Sequence, residues 1–252
     1  MEIPMKEDRI VLITGGTRGI GLETAKRFLE YGNKVVVASI DDEETVQAAL
    51  DELGPFGEVT YFKLDVSDEK NCKEVVDKTV QMYGAVDVLC NIAGIVGELK
   101  TPLEADLQKV NDVIQVDLMG TIYMSVHAGR YMKEKGKGVI LNTSSICGYL
   151  ATNVSVGYHA AKAGVNLVTK VFAKELGPYG IRCAAVAPAT VRTRLMDPSI
   201  EEEARTFHMK QRVEEPEEIA GVFHLLSLDE ASAINGTTVM AEDGFCSFKG
   251  VW

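Results

Sequence analysis

Tyr158-His159-Ala160-Ala161-Lys162 sets a phenol and an ammonium four residues apart, and on a helix that spacing puts both on one face. A free phenol, with a pKa of about 10, is a poor base at neutral pH. An ammonium about 4 Å away, at an effective dielectric near 20, favours the phenolate by roughly 4 kcal/mol. That is about 3 pKa units, enough to bring Tyr158 towards neutrality as acid and base for an alcohol. Ser145 lies upstream, just past a predicted strand, where its hydroxyl could hold a substrate oxygen. Alone, Y-x-x-x-K is also what an exposed helix pair gives, so the elements that would position it must be read first.

The run IVLITGGTRGIG, from Ile10 to Gly21, reads as a buried strand, a glycine turn and a helix start. Without Cβ atoms the turn lets a pyrophosphate approach, and free helix N–H groups stabilise its charge. Further strands are expected at 34–38, 59–64, 86–92, 138–142, 181–187 and 237–240. Helices are expected at 22–31, 41–53, 69–83, 104–135, 158–176 and 216–226. Ser67 or Asp68 caps the third helix, and Gly177-Pro178 closes the one that carries Tyr158. Residues 190–213 read as irregular and charged, a candidate substrate lid. This alternation predicts an α/β fold: a doubly wound, seven-stranded parallel sheet of Rossmann type, with helices on both faces, over residues 1–252 as one domain. Ligands then lie beyond the strands' carboxyl ends, which gathers Gly15, Asp65, Asn91, Ser145 and Pro188 along one edge.

Composition narrows the function. The 252 residues are 46% hydrophobic and 25% charged, with a net charge of −11 that repels nucleic acid and anionic membranes. The N-terminal residues lack the apolar core of a signal peptide, and no apolar run is long enough to span a membrane. Five scattered cysteines suit reduced thiols in a cytoplasm, and four scattered histidines suggest no metal site.

In order, the chain carries Thr14-Gly15-Gly16-Thr17-Arg18-Gly19-Ile20-Gly21, Asp65-Val66, Asn91-Ile92-Ala93-Gly94, Ser145, Tyr158 with Lys162, and Pro188 to Thr193. This set resembles the short-chain dehydrogenase/reductase family over essentially the whole length. The resemblance implies a nicotinamide cofactor and the interconversion of an alcohol and a ketone. It makes Tyr158 the acid/base, Lys162 the group that lowers its pKa and binds the nicotinamide ribose, and Ser145 the holder of the carbonyl. Gly15, Thr17, Arg18, Gly19, Ile20 and Gly21 would then border the cofactor, with Ser39 and Ile40 at its adenosine ribose and Asp65 with Val66 at the adenine. Asn91, Ala93 and Gly94 would flank it, and Pro188, Val191 and Thr193 would meet its nicotinamide end. The resemblance also implies a homo-oligomer, a tetramer or dimer.

Three positions depart from the family pattern: Ile92 and Ala189 where Asn and Gly are usual, and Asp117, in V-D-L-M-G, where the long helix usually carries an active-site Asn. By resemblance Asp117 belongs near a water chain leading to Lys162. A carboxylate about 7 Å from the phenol, at a dielectric near 40, disfavours phenolate by on the order of 1 kcal/mol. These departures motivate a reading of another class, a non-catalytic dinucleotide-binding protein, against which Ser145, Tyr158 and Lys162 stand intact.

After the second strand, Asp41-Asp42-Glu43-Glu44 would repel a 2′-phosphate, which favours NAD. Arg18 favours NADP, the alternative, and the acidic run is also a good helix start. His159 reads as packing and Cys147 as a small buried residue. Leu195, Met196, Phe207 and Met209 either line a lid or pack on the body. They tilt the substrate towards a bulky apolar alcohol such as a hydroxysteroid or bile acid, with 3-oxoacyl thioesters and sugar alcohols as alternatives. Phe245, Phe248, Val251 and Trp252 are too apolar for a free end and are expected at a subunit interface or over the cleft.

Overall fold

The computed structural model describes residues 8–247. Apolar runs form the strands β1 Ile10–Thr14, β2 Lys34–Ser39, β3 Val59–Lys63, β4 Val88–Asn91, β5 Gly138–Thr143, β6 Ile181–Pro188 and β7 Thr238–Ala241. They make one parallel sheet in the order β3-β2-β1-β4-β5-β6-β7. The helices are α1 Gly19–Glu30, α2 Glu43–Leu53, α3 Glu69–Tyr83, α4 Leu107–Val113, α5 Gly120–Lys135, α6 Val156–Leu176, α7 Glu201–Ala204 and α8 Pro216–Ser227.

The alternation of side chains along each strand divides the core. Val11, Ile13, Val35, Val37, Val88 and Cys90 meet Phe28 and Leu29 of α1, Leu53 of α2 and Phe223 of α8. The intervening Leu12, Val36, Leu89 and Ile140 meet Val75 and Val76 of α3, Met124 and Met132 of α5, and Leu176 of α6. Being covered on both faces is what lets these strands be apolar throughout. The strand order reverses between β2 and β5, around the β1–β4 pair, where Thr14 stands opposite Asn91. A doubly wound sheet opens its ligand crevice at that point.

The predicted helix at 104–135 is not continuous. A wide π-helical turn, Ile114–Met119, separates α4 from α5, and Asp117 sits in it. Such turns bulge a helix locally. Asp42 and Asp68 cap α2 and α3, each accepting backbone N–H groups, so part of the acidic run at 41–44 is a helix start. Helix α6 begins two residues before Tyr158, and Gly177 behind it keeps right-handed geometry. The left-handed turn falls instead at Gly180, φ +76°. The 190–213 segment is less irregular than expected: it holds the short helix α7 and 3₁₀ turns at Pro198–Ile200 and Arg205–Phe207, and Val191 bridges to Glu214.

Phe223 is fully buried between α1 and the sheet. Phe223→Ala is expected to cost about 3–5 kcal/mol through lost transfer energy and a cavity, read as a lower denaturation midpoint with unchanged slope.

Candidate active site

The loops after β1 to β6 surround two adjoining cavities of about 310 and 290 Å³, which share Ile20, Ile92, Gly94, Ile95, Thr193 and Leu195. Gly15, Arg18, Gly19, Gly21, Ser39, Ile40, Asp65, Val66 and Ala93 line the first. Ser145, Tyr158, Lys162, Pro188 and Val191 line the second. Residues far apart in the sequence thus converge on the expected edge.

The glycine turn is set by its own packing. Gly15 has φ +68°, and a Cβ there would lie 2.9 Å from Ala93 Cα. A Cβ on Gly21 would fall 2.0 Å from the Gly15 carbonyl oxygen. Thr14 Oγ1 accepts the Ile92 and Ala93 amides at 3.0 and 3.1 Å, which ties the β4 loop to this turn. No side chain caps α1, whose first residues Gly19, Ile20 and Gly21 line the cavity. An uncapped helix N-terminus behind a glycine turn fits the phosphates of a dinucleotide.

Two expected cofactor residues do not reach the cavities. Asn91 points into the sheet: its Nδ2 donates to Asn142 Oδ1 at 2.9 Å and Ser125 Oγ at 3.1 Å. A buried amide must find such partners, and here they fasten β4 to β5. Thr17 is buried, donates to Asp41 Oδ2 and shares a hydrogen bond with Ser39 Oγ at 3.0 Å. It therefore positions the β2 turn.

At the other end, Ser145 Oγ accepts the Cys147 amide at 3.1 Å, and Ser145 and Tyr158 line the second cavity together. The start of α6 is anchored by Ser155, which has φ +54° and whose hydroxyl donates to the Glu98 carbonyl at 2.9 Å. His159 contacts the Ser155 carbonyl and Thr152, so it holds the loop before α6. Cys147 is only half-buried and lines the second cavity, contrary to the reading as a buried filler, and burial pushes its thiol up.

Lys162 and Asp117 are 3% and 1% exposed. Lys162 Nζ donates to the Thr143 carbonyl at 3.0 Å and lies 3.0 Å from Asp117 Oδ2. Asp117 Oδ1 accepts the Ile95 amide at 2.8 Å. The carboxylate thus touches the lysine directly, where a water chain was expected. Burial alone would lower the Lys162 pKa, but Asp117 and Tyr158 outweigh it and hold the ammonium above its ordinary value. Burial pushes the Tyr158 phenol up, Lys162 opposes this and Asp117 adds to it. The phenol of the unliganded protein therefore titrates above its ordinary value, not near neutrality as the Tyr158/Lys162 spacing alone implied. The lysine's charge is already balanced by its buried partner.

Two residues near the site, Arg194 and Glu214, gave no sequence signal, and Asp41 was read only as part of an acidic run. Asp41 and Arg194 line the first cavity. Glu214 accepts the Ala189 amide at 3.3 Å behind the second. Their partners lie on other loops, beyond any local pattern.

The family described as short chain dehydrogenase matches residues 9–204. Levodione reductase of Leifsonia aquatica is 34% identical over 250 residues, covering 94% of each chain. A crystal structure of levodione reductase superposes with a TM-score of 0.90 at 33% identity, over 96% of this chain and 99% of that one. The 7alpha-hydroxysteroid dehydrogenase of Bacteroides fragilis is 32% identical over 244 residues, again 94% of each chain. A structure of ElxO with NADP bound gives a TM-score of 0.88 at 28% identity, over 96% of this chain and 100% of that one. The chain belongs to the short-chain dehydrogenase/reductase family. It is an oxidoreductase of a family that binds a nicotinamide cofactor.

Two titrations follow from these contacts. Asp117→Asn removes the charge that opposes phenolate, so the acid limb of kcat/KM for alcohol oxidation is expected to move towards lower pH by about one unit. The value belongs to the Asp117–Lys162–Tyr158 cluster, and an unmoved limb would show that Asp117 does not act on the phenol. Glu214, pushed up from 4.5 to about 7 chiefly by burial, binds protons more tightly folded than unfolded. Its contribution to stability is therefore present below about 4.5 and is lost as pH rises through about 7. Glu214→Gln should flatten the fall in Tm between those values.

Proposed function

We propose that this protein is an NAD-dependent oxidoreductase of secondary alcohols and ketones with a bulky apolar skeleton, of which a hydroxysteroid or bile acid is an example. The observation that carries the reading is that Ser145, Tyr158 and Lys162 line an apolar cavity that adjoins the dinucleotide cavity and shares Ile92, Gly94 and Thr193 with it. Beyond these polar groups the second cavity offers Ile95, Val96, Leu99, Ile146, Leu195, Met196 and Ile200. A sugar alcohol would need more hydrogen-bonding partners than this wall provides, and the carboxylate of Asp197, in the same wall, accepts the Ser199 amide at 2.8 Å. A hydroxysteroid dehydrogenase among the relatives supports the choice.

The nicotinamide, when bound, supplies or accepts the hydride. Ser145 donates a hydrogen bond to the carbonyl oxygen, and Tyr158 gives its proton to that oxygen in reduction or takes it in oxidation. Lys162, held protonated by Asp117 and the Thr143 carbonyl, favours the phenolate and orients the ribose. Closure of the 190–213 segment over the second cavity would exclude water.

NAD is favoured over NADP because Arg18 is engaged: its Nη2 lies 3.0 Å from Asp41 Oδ1 and donates to Thr45 Oγ1 at 2.8 Å. Assembly as a dimer or tetramer is part of the reading, supported by Leu167 and Val171, exposed on α6 at 62% and 57%. A cytoplasmic location fits the five free thiols. The aromatic tail contributes Phe245, which stacks on Phe207 at 5.3 Å; Phe248, Val251 and Trp252 lie outside the described residues.

Tyr158→Phe is expected to lower turnover by at least about 10²-fold, the scale of lost general acid catalysis, with NADH binding within a few fold of wild type. Turnover near wild type would remove Tyr158 from the proton transfer.

A further inference from the structure

The 190–213 segment lines the dinucleotide cavity with Thr193, Arg194 and Leu195, and Arg194 reaches the turn beyond β2. Arg194, adjacent to Thr193, comes 4.0 Å from Asp41 Oδ1, the oxygen that Arg18 Nη2 approaches at 3.0 Å. The other Asp41 oxygen accepts Thr17 Oγ1. Arg192, Arg205 and Arg212 face carboxylates of their own region, namely Glu201 and Glu215, Glu202, and Glu218. Arg194 instead approaches Asp41 on another loop, and both line the cavity with Arg18.

This pair is a poor stabiliser. Arg194 is 60% exposed and the separation is long, a geometry worth little for an exposed ion pair. As part of a ligand site it is well placed. Two guanidiniums converge on the Asp41 carboxylate, and Arg18 Nε is buried without a hydrogen-bond partner. Asp42 accepts the Thr45 amide at 2.8 Å as the cap of α2, and its carboxylate also interacts with Arg18, so Arg194 is the less engaged of the two guanidiniums. Guanidiniums bind phosphate oxygens through paired N–H donors.

We propose that Arg194 is a cofactor-recognition residue carried by the lid. With Arg18 it closes on the phosphate-bearing adenosine half of the dinucleotide, while Asp41 holds both arginines and disfavours a 2′-phosphate. The proposal rests on the dinucleotide reading of the cavity and deepens it: cofactor choice and the position of the lid share one carboxylate. Asp41 lies in the turn beyond β2, and its action depends on Thr17 fixing it from below.

Binding of nicotinamide-free fragments tests this apart from turnover. ADP-ribose and adenosine 2′,5′-bisphosphate are titrated calorimetrically, and NADH and NADPH by their fluorescence, into wild type, Arg194→Gln, Asp41→Asn and the double variant. Arg194→Gln is expected to weaken ADP-ribose and NADH roughly three- to tenfold, as for one lost charge-assisted hydrogen bond. Asp41→Asn should tighten the 2′-phosphorylated ligands about tenfold, and the double variant should lose most of that gain. Arg194→Lys, which keeps the charge, should recover part of the loss. Unchanged affinities on removing Arg194, in both backgrounds, would overturn the proposal. Failure of wild type to bind any of the four ligands would instead overturn the dinucleotide reading beneath it.

Discussion

A buried ammonium is tolerated only where acceptors surround it, and at Lys162 that requirement organises the site. One acceptor is the Thr143 carbonyl at the end of β5, and the other is Asp117 in the π-helical turn before α5. Because Asp117 also accepts the Ile95 amide, the lysine on α6 is coupled to the loop after β4 that borders both cavities. Three elements that meet only at the carboxyl edge of the sheet are thus fixed by one ion pair. Removing one partner would leave a buried charge, which is far more costly than never having buried the pair.

The same pair sets the chemistry. A lysine beside a tyrosine favours phenolate, but a lysine neutralised by a carboxylate does so less. In the unliganded protein burial and Asp117 prevail over Lys162 at the phenol. Proton transfer here is a property of three coupled groups, and the resting site keeps Tyr158 protonated, the state that donates to a carbonyl.

Much of this was legible in the sequence because the fold rests on local signals. The apolar runs at 10–14, 34–39 and 181–188 are strands since both faces of the sheet are covered, and the glycine turn announced the ligand edge. Ser145, Tyr158 and Lys162 are brought together as their positions after β5 and on α6 require. Contacts between distant segments were not legible. Asn91 sits at the right strand end, yet its amide finds better partners in Ser125 and Asn142 inside the sheet. The π-helical turn interrupts a helical pattern with only Gly120, its C-terminal cap, to mark it. Asp41 read as one of four acids, and only the fold shows it facing Arg18 and Arg194 while Asp42 caps a helix.

In the proposed function, hydride passes from the dinucleotide cavity to an apolar ketone held beside Ser145 and Tyr158 in the adjoining one. The most direct measurement supplies NADH deuterated at C4 with a panel of apolar cyclic ketones, steroidal ones included, and follows the label by mass spectrometry. Deuterium at the carbinol carbon of at least one product, from one C4 face only, is the expected result. Tight binding of NADH with no label in any product would contradict it.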